Sequence, residues 1–281
     1  MSLREKLAEK SGISKEKIPN SYQIIGDIFL IKSQRLLKKE KKALASAVLE
    51  VLPHIKTVCE LSEIKGVFRM PKINILAGCE TETIHKENGI LYKIDVSRVM
   101  FSKGNLYERQ RLIKEISPNV TVVDMFAGIG YFSLGIGKFS KAKIIYAIEK
   151  NPYAFKLLQE NIKLNKITNI VPILGDCRQV AKQKNFQGIA DHVIMGYIKD
   201  TDKFLPSAFS FSKNHGIIHY HNIFKKEDLW KRPIETIKYY AEKNGYEVEK
   251  ILEKRKVKSY APKVFHIVLD AKIRRRIIIR R

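Results

Sequence analysis

Residues 122–132 read VVDMFAGIGYF. An apolar run closes on an acid, and an aromatic and two spaced glycines follow at once. The run reads as a buried strand, the glycines as a tight turn where φ can turn positive, and the residues from about 131 as a helix. Downstream the same rhythm repeats. "AKIIYAIE" is a second strand, and "NPYAFKLLQENIKLN" is a helix with Asn151 as N-cap and Pro152 at its first position. "IVPILG", "ADHVIMGY" and "GIIHYHN" read as strands three to five, and "EVEKILEKRKV" with "VFHIVLDAKI" forms a terminal pair. Strands alternating with helices predict a mostly parallel sheet with right-handed crossovers, and the closing pair predicts an antiparallel edge.

Upstream the pattern differs. "GNLYERQRLIKEI" is helical and halted by Ser117-Pro118, whereas residues 55–101 carry short β-like runs with a hairpin signal at "KENG" (86–89). Residues 32–53 predict a helix ending at Pro53, with Lys32, Arg35, Lys38, Lys39, Lys41 and Lys42 on its polar side. This strip reads either as a solvated face or as a phosphate-facing one. "YQIIGDIFLI" (22–31) predicts strand, turn and strand about Gly26-Asp27, and the first 20 residues a short helix stopping near Pro19. The expected organisation is a small α+β domain over 1–90, an α/β domain over 91–273 and a low-complexity basic end, "RRRIIIRR", over 274–281, set aside from the fold argument.

A chain of 281 residues, 44% of them hydrophobic, can bury a real core. No apolar run approaches the roughly 18 residues needed to cross a bilayer, and the charged start lacks the apolar core of a secretion signal. A cytoplasmic protein is expected. Three cysteines with no close pair fit neither a disulfide framework nor a zinc knuckle. Lys and Arg number 53 against 29 Asp and Glu, a net charge of +24. Such an excess favours a polyanionic partner, since each neutralised phosphate releases counterions.

In a sheet of this kind ligands bind beyond the carboxyl ends of the strands. Gly128 and Gly130 fall there after strand one, Glu149 after strand two, Asp176 and Cys177 after strand three, and Gly196-Tyr197 after strand four. The glycines would allow close backbone approach, Glu149 would accept ribose hydroxyls, and Asp176 with Cys177 would read an adenine edge. Three readings compete: a dinucleotide, S-adenosylmethionine, or a structural turn. The pyrophosphate fingerprint G-x-G-x-x-G/A is broken, because its third position is Ser133 and the next glycine, Gly135, falls two residues late. One ribose, one adenine and no pyrophosphate favour S-adenosylmethionine.

At this point "FSKGNLYER" (101–109), "VVDMFAGIGYFSL", "AIEKNP", "GDCR", "ADHVIMGY" and "GIIHYHN" together resemble the archaeal enzymes acting at tRNA position 37. These are the tRNA (guanine-N1) methyltransferases and the wybutosine-pathway aminocarboxypropyltransferases. The likeness covers roughly residues 18 to 270. It implies a Rossmann-like class I methyltransferase sheet with an antiparallel edge, preceded by a small α+β domain. The methyltransferases carry an Asn-Leu-Pro or Asn-Pro-Pro signature after strand four, where this chain has "MGY" (195–197). They also generally have an extra N-terminal module, whereas this sequence starts directly with the small domain. Both departures resemble the aminocarboxypropyltransferase branch.

The resemblance implies transfer of the 3-amino-3-carboxypropyl group of S-adenosylmethionine to C7 of 4-demethylwyosine at position 37 of phenylalanine tRNA. The partner is then the anticodon arm, the donor is S-adenosylmethionine, and no metal, membrane or protein partner is expected. Carried over by motif, the donor-binding residues are Ser102, Arg109, Phe126, Gly128, Glu149, Asp176 and Cys177. A sulfonium activates three carbons, so the enzyme selects a product by aiming one of them. Positioning is expected to dominate, with no general base assigned. His219 and His221 share one face of strand five and read as structural. Lys254, Arg255, Lys256 and Lys258 near Tyr260 read as a tRNA-facing edge. Guanine-N1 methylation, a non-catalytic RNA-binding protein and a nicotinamide-dependent oxidoreductase remain as alternatives.

Overall fold

The computed structural model describes residues 1–33, 35–66 and 68–276, with Lys65 and Lys103 described by backbone alone. It divides into two compact units, Met1–Phe101 and Ser102–Arg281.

In the first unit, α1 (Leu3–Ser11) starts on a capping box between Ser2 and Glu5 and ends at Gly12, whose φ of 67° is left-handed. It therefore stops well before Pro19. Strands β1 (Tyr22–Ile25) and β2 (Ile28–Ile31) pair about Gly26 as expected. Helix α2 (Lys38–Val51) buries Leu44, Ala45, Ala47 and Val48 against Leu7, Phe29 and Val58. Strands β3 (Thr57–Lys65) and β4 (Met70–Ala77) complete a sheet of order β1-β2-β3-β4. The expected basic helix face is corrected here: Lys32 and Arg35 precede the helix, and the Lys41 ammonium donates to the buried Glu60 carboxylate at 2.7 Å. Strands β5 (Glu82–Glu87) and β6 (Ile90–Asp95) form a separate hairpin, turned by Asn88 and Gly89 with φ of 49° and 76°.

In the second unit, α3 (Leu106–Glu115) leads into β7 (Thr121–Asp124), α4 (Ser133–Phe139), β8 (Ile144–Glu149), α5 (Pro152–Leu164), β9 (Ile170–Leu174), the short α6 (Cys177–Val180), β10 (Ala190–Met195) and α7 (Leu205–Phe211). Strand β11 (Ser212–Lys225), α8 (Lys231–Lys243), β12 (Tyr246–Ala261) and β13 (Val264–Arg275) follow. The sheet order is β12-β13-β11-β10-β7-β8-β9. Strands β7 to β11 pair in parallel, and β13 is antiparallel to both neighbours. All seven predicted strands are present. Helices α7 and α8 pass unread in the sequence: the first buries five of its seven residues, so it lacks an amphipathic period, whereas the second buries Pro233, Ile237 and Ala241 at a helical spacing that the sequence does carry. Strand β13 runs two residues into the basic end, where Arg274 pairs with Glu247 and Arg275 lies over the Tyr246 ring. The remainder of that end, 277–281, lies outside the described residues. Among the described residues no helix is long and apolar enough to cross a membrane.

A line of buried polar groups crosses this sheet. His192 Nδ1 lies 3.0 Å from His219 Nε2, and His219 Nδ1 lies 2.8 Å from Asp270 Oδ1. Arg111 Nη1 donates to the other Asp270 oxygen at 2.7 Å, and its Nε and Nη2 donate to Glu108. His221 Nδ1 meets His266 Nε2 at 3.1 Å. Burial pushes the pKa values of His192 and His221 down to about 3. Burial raises the Asp270 value, but His219 and Arg111 outweigh it and hold the carboxyl well below the usual range.

These shifts fix a sign. An unfolded histidine titrates near 6.5, so between there and about 3 the unfolded chain binds protons that folded His192 and His221 refuse. Their contribution is therefore complete above neutral pH and is lost on acidification, with Asp270 adding the same sign at lower pH. Denaturant titrations at pH 7 and pH 5 should show a loss approaching about 1.4 kcal/mol per pH unit per histidine. Equal unfolding free energies at the two pH values would contradict this.

Candidate active site

The chain enters the sheet at β7, builds outward through β8 to β9, then returns across β7 to β10. The crevice at the carboxyl ends therefore opens between β7 and β10, where the winding reverses. Asp124, the last residue of β7, is fully buried. Its Oδ2 accepts from the Ser133 hydroxyl at 2.6 Å and its Oδ1 from the Phe126 N–H at 3.3 Å. It thus ties the strand end to the first residue of α4, and burial raises its pKa to about 6.

The turn between them needs both glycines. Gly128 and Gly130 have φ of 57° and 100°. A Cβ would stand 2.4 Å from the Tyr131 ring at the first, and 2.5 Å from Leu134 Cγ at the second. What the structure shows at these glycines is a turn packed tightly against itself. Gly135, the glycine two places late for a pyrophosphate fingerprint, brings α4 against α3, since a Cβ there would meet Ile113 Cδ1 at 2.9 Å. Asn161, unread in the sequence, donates from α5 to the Ile129 carbonyl at 3.1 Å and fastens the turn from below.

Glu149 ends β8. Its Oε2 accepts from the Gly128 N–H at 2.7 Å and its Oε1 from the Asn151 N–H at 2.6 Å. Burial raises its pKa, opposed by these backbone donors. Each oxygen keeps lone-pair capacity for a further donor, which suits a vicinal diol. Asp176 follows β9 and caps α6. It accepts from Arg178 Nε and Nη2 at 2.9 and 2.7 Å and from Lys150 Nζ at 3.0 Å, and the Arg178 bonds lead in holding it ionised. Cys177 is buried, and burial pushes its thiol up to about 12, which keeps it protonated and unsuited to act as a nucleophile.

Between β7 and β10 the crevice is aromatic. Phe126 and Tyr197 stack with centroids 5.3 Å apart and planes at 24°, and Phe204 meets Phe126 edge-on at 5.0 Å. The Arg178 guanidinium covers Phe204 at 4.9 Å. A Cβ at Gly196 would stand 2.7 Å from the Phe132 ring, so any side chain there would displace it.

Ser102 and Arg109 come together at the start of α3. Arg109 is buried, and both its Nη atoms donate to the Ser102 carbonyl at 3.3 Å. The next charged residue on the helix, Arg111, pairs with the buried Glu108 at 2.6 Å. Helix α3 is tied toward the carboxyl ends of the sheet, because His221 lies 3.9 Å from Glu108 and 5.6 Å from the Phe132 ring. A groove of about 330 Å³, lined by Gly188, Phe209, Tyr246 and Arg275 among others, opens at the opposite, amino ends of β10 and β12 and contains none of the predicted site residues.

With this geometry in place, comparison with known proteins is decisive. The sequence model of the TRM5/TYW2 methyltransferase domain matches residues 83–249, and that of the TYW2 N-terminal domain matches 3–81. The chain belongs to the TRM5/TYW2 family. A tRNA(Phe) (4-demethylwyosine(37)-C(7)) aminocarboxypropyltransferase of Methanocaldococcus jannaschii is 48% identical over 90% of this chain and 98% of its own length. The crystal structure of M. jannaschii TYW2 in complex with AdoMet superposes with a TM-score of 0.75, at 44% identity, over 91% of this chain and 100% of that one. A tRNA (guanine(37)-N(1))-methyltransferase Trm5b of Pyrococcus abyssi is 40% identical over 91% of this chain and 76% of its own length. The family fold, a class I methyltransferase sheet with an N-terminal α+β part, is the one observed.

The turn packing generates one prediction. Gly128→Ala sets a Cβ against Tyr131 at a left-handed φ, and should lower unfolding free energy by about 1–3 kcal/mol. Denaturant titration checks it, and an unchanged midpoint would mean the turn is looser than described.

Proposed function

We propose that this chain transfers the 3-amino-3-carboxypropyl group of S-adenosylmethionine to C7 of 4-demethylwyosine at position 37 of phenylalanine tRNA. The observation that carries the reading is the 48% identity, over nearly the whole of its length, to the aminocarboxypropyltransferase of M. jannaschii. In this reading residues 91–273 are the transferase domain, 1–90 are a candidate tRNA contact, and the +24 charge draws the anticodon arm.

The crevice fits the donor. Asp176 and the Cys177 backbone face the adenine, Glu149 takes the ribose hydroxyls, Phe126 and Gly128 line the turn, and Ser102 with Arg109 meet the amino-acid arm. The bound sulfonium supplies the activated γ-carbon. The base C7 forms a bond to that carbon as the carbon–sulfur bond breaks, methylthioadenosine leaves, and the C7 proton passes to solvent. Little acid–base help is needed for an electron-rich carbon attacking a cationic donor. The protein's task is orientation and exclusion of the methyl carbon from the base.

Guanine-N1 methylation by the same crevice is the second reading, favoured by the 40% identity to Trm5b. Donor labelled separately in methyl and carboxyl groups separates the two. Carboxyl label on the tRNA with methylthioadenosine released is expected, and methyl label on the tRNA with adenosylhomocysteine released would overturn the proposal. Glu149→Ala should weaken donor binding about tenfold or more, since each charge-assisted hydroxyl bond contributes about 1.5–3 kcal/mol. Calorimetry checks this, and unchanged affinity in a folded variant would reject the ribose role.

A further inference from the structure

We infer that Lys258 is a ligand for the donor's carboxylate, completing with Ser102 and Arg109 a seat for the group that is transferred. The inference rests on the transferase reading above. In the sequence Lys258 belongs to the row of cations read as a tRNA-facing edge. In the structure the row separates. Arg255 lies on the Tyr107 ring at 4.5 Å, Lys256 on the Phe265 ring at 5.0 Å, and Lys258 turns inward to donate to the Ser102 hydroxyl at 2.6 Å. Its stem occupies the space beside Gly104, where a Cβ would stand 2.6 Å from Lys258 Cδ. The glycine in "SKGN" therefore has a stated purpose: it admits the lysine.

Three donor atoms from two cations then converge on one residue. Arg109 addresses the Ser102 carbonyl with both Nη atoms, and Lys258 addresses its hydroxyl. The serine oxygen accepts from the lysine. A planar, acceptor-only group suits such a seat, and a carboxylate is that group. The placement also fits. With adenine at the end of β9 and ribose at the end of β8, the amino-acid arm runs over β7 toward α3, which His221 and Glu108 hold on that side. In this reaction the carboxylate travels with the reacting carbon, so a two-cation seat fixes which carbon faces the base.

Full-length wild type and Lys258→Gln are compared for affinity to S-adenosylmethionine, to its decarboxylated analogue and to methylthioadenosine, with thermal melting to confirm folding. Wild type should prefer the intact donor. The variant should bind it about ten- to hundredfold more weakly, lose the preference over the decarboxylated analogue, and hold methylthioadenosine within about twofold of wild type. Lys258→Arg should keep the preference. An equal loss for all three ligands would mark a structural role, and unchanged donor affinity with weakened tRNA binding would mark a phosphate contact. Either overturns the inference. Wild type that binds no S-adenosylmethionine would instead remove the transferase reading itself.

Discussion

Two buried carboxylates, one strand apart, hold the turn on which the crevice depends. Asp124 closes it from β7 by accepting from Ser133 and Phe126, and Glu149 closes it from β8 by accepting the Gly128 N–H. Neither acid has a cation beside it among these bonds, so burial raises both pKa values, and Glu149 adds a repulsive contribution at Asp124. The backbone donors make this tolerable, because hydrogen bonds to the charged form offset desolvation. Each ribose hydroxyl given to Glu149 would add a donor of the same kind. On the proposed ribose role, such donors would offset part of the burial that raises the Glu149 pKa.

The second constraint is the buried ion line. Glu108, Arg111 and Asp270 are each less than about one-tenth exposed, and Arg111 bridges the two carboxylates by hydrogen bonds. Burying such groups costs several kcal/mol per ion, and well-packed apolar residues often do as well for stability alone. What the ions add here is position. They join α3 to β13 by directional bonds, so Arg109, one residue after Glu108, is delivered to Ser102 with little freedom. Residues far from the crevice in sequence, at 270 and at 108, therefore set the geometry of its amino-acid end.

How much of this was legible follows from the kind of signal each part leaves. The strands were legible because each is a compact apolar run, and the turn because glycine, acid and helix cap fall at fixed offsets. Asn151 caps α5 as read, with its side chain accepting from the Tyr153 N–H at 3.0 Å. Helix α7 was not legible, because a helix buried on most sides has no period to detect. The lysine strip before residue 43 misled because helical spacing was extrapolated back past the true start at Lys38. The pairing of Asp176 with Arg178 was open to reading at i, i+2 after a strand end, but the hairpin lysine was not. Sequence shows that Lys258 is charged and near a turn, while only the folded chain shows that it bends back across 156 residues onto Ser102.

The choice of carbon is then a question of walls more than of catalytic groups. On the proposed donor placement, adenosine contacts at the ends of β8 and β9 would serve methyl and aminocarboxypropyl transfer alike. The difference must arise past β7, where the arm and the base compete for the same space. On one side stands the Phe126–Tyr197 stack, a flat apolar surface at the switch point, with Gly196 kept bare by the Phe132 ring. On the other stand Ser102, which precedes α3, and Arg109 on that helix. Any side chain at 196 would have to displace Phe132, which in turn packs on His221 beside Glu108. The strand-four turn and the α3 anchor are therefore not independent features. Changing the turn to suit a different acceptor would disturb the same contacts that aim the arm, which gives a physical reason for the two to change together.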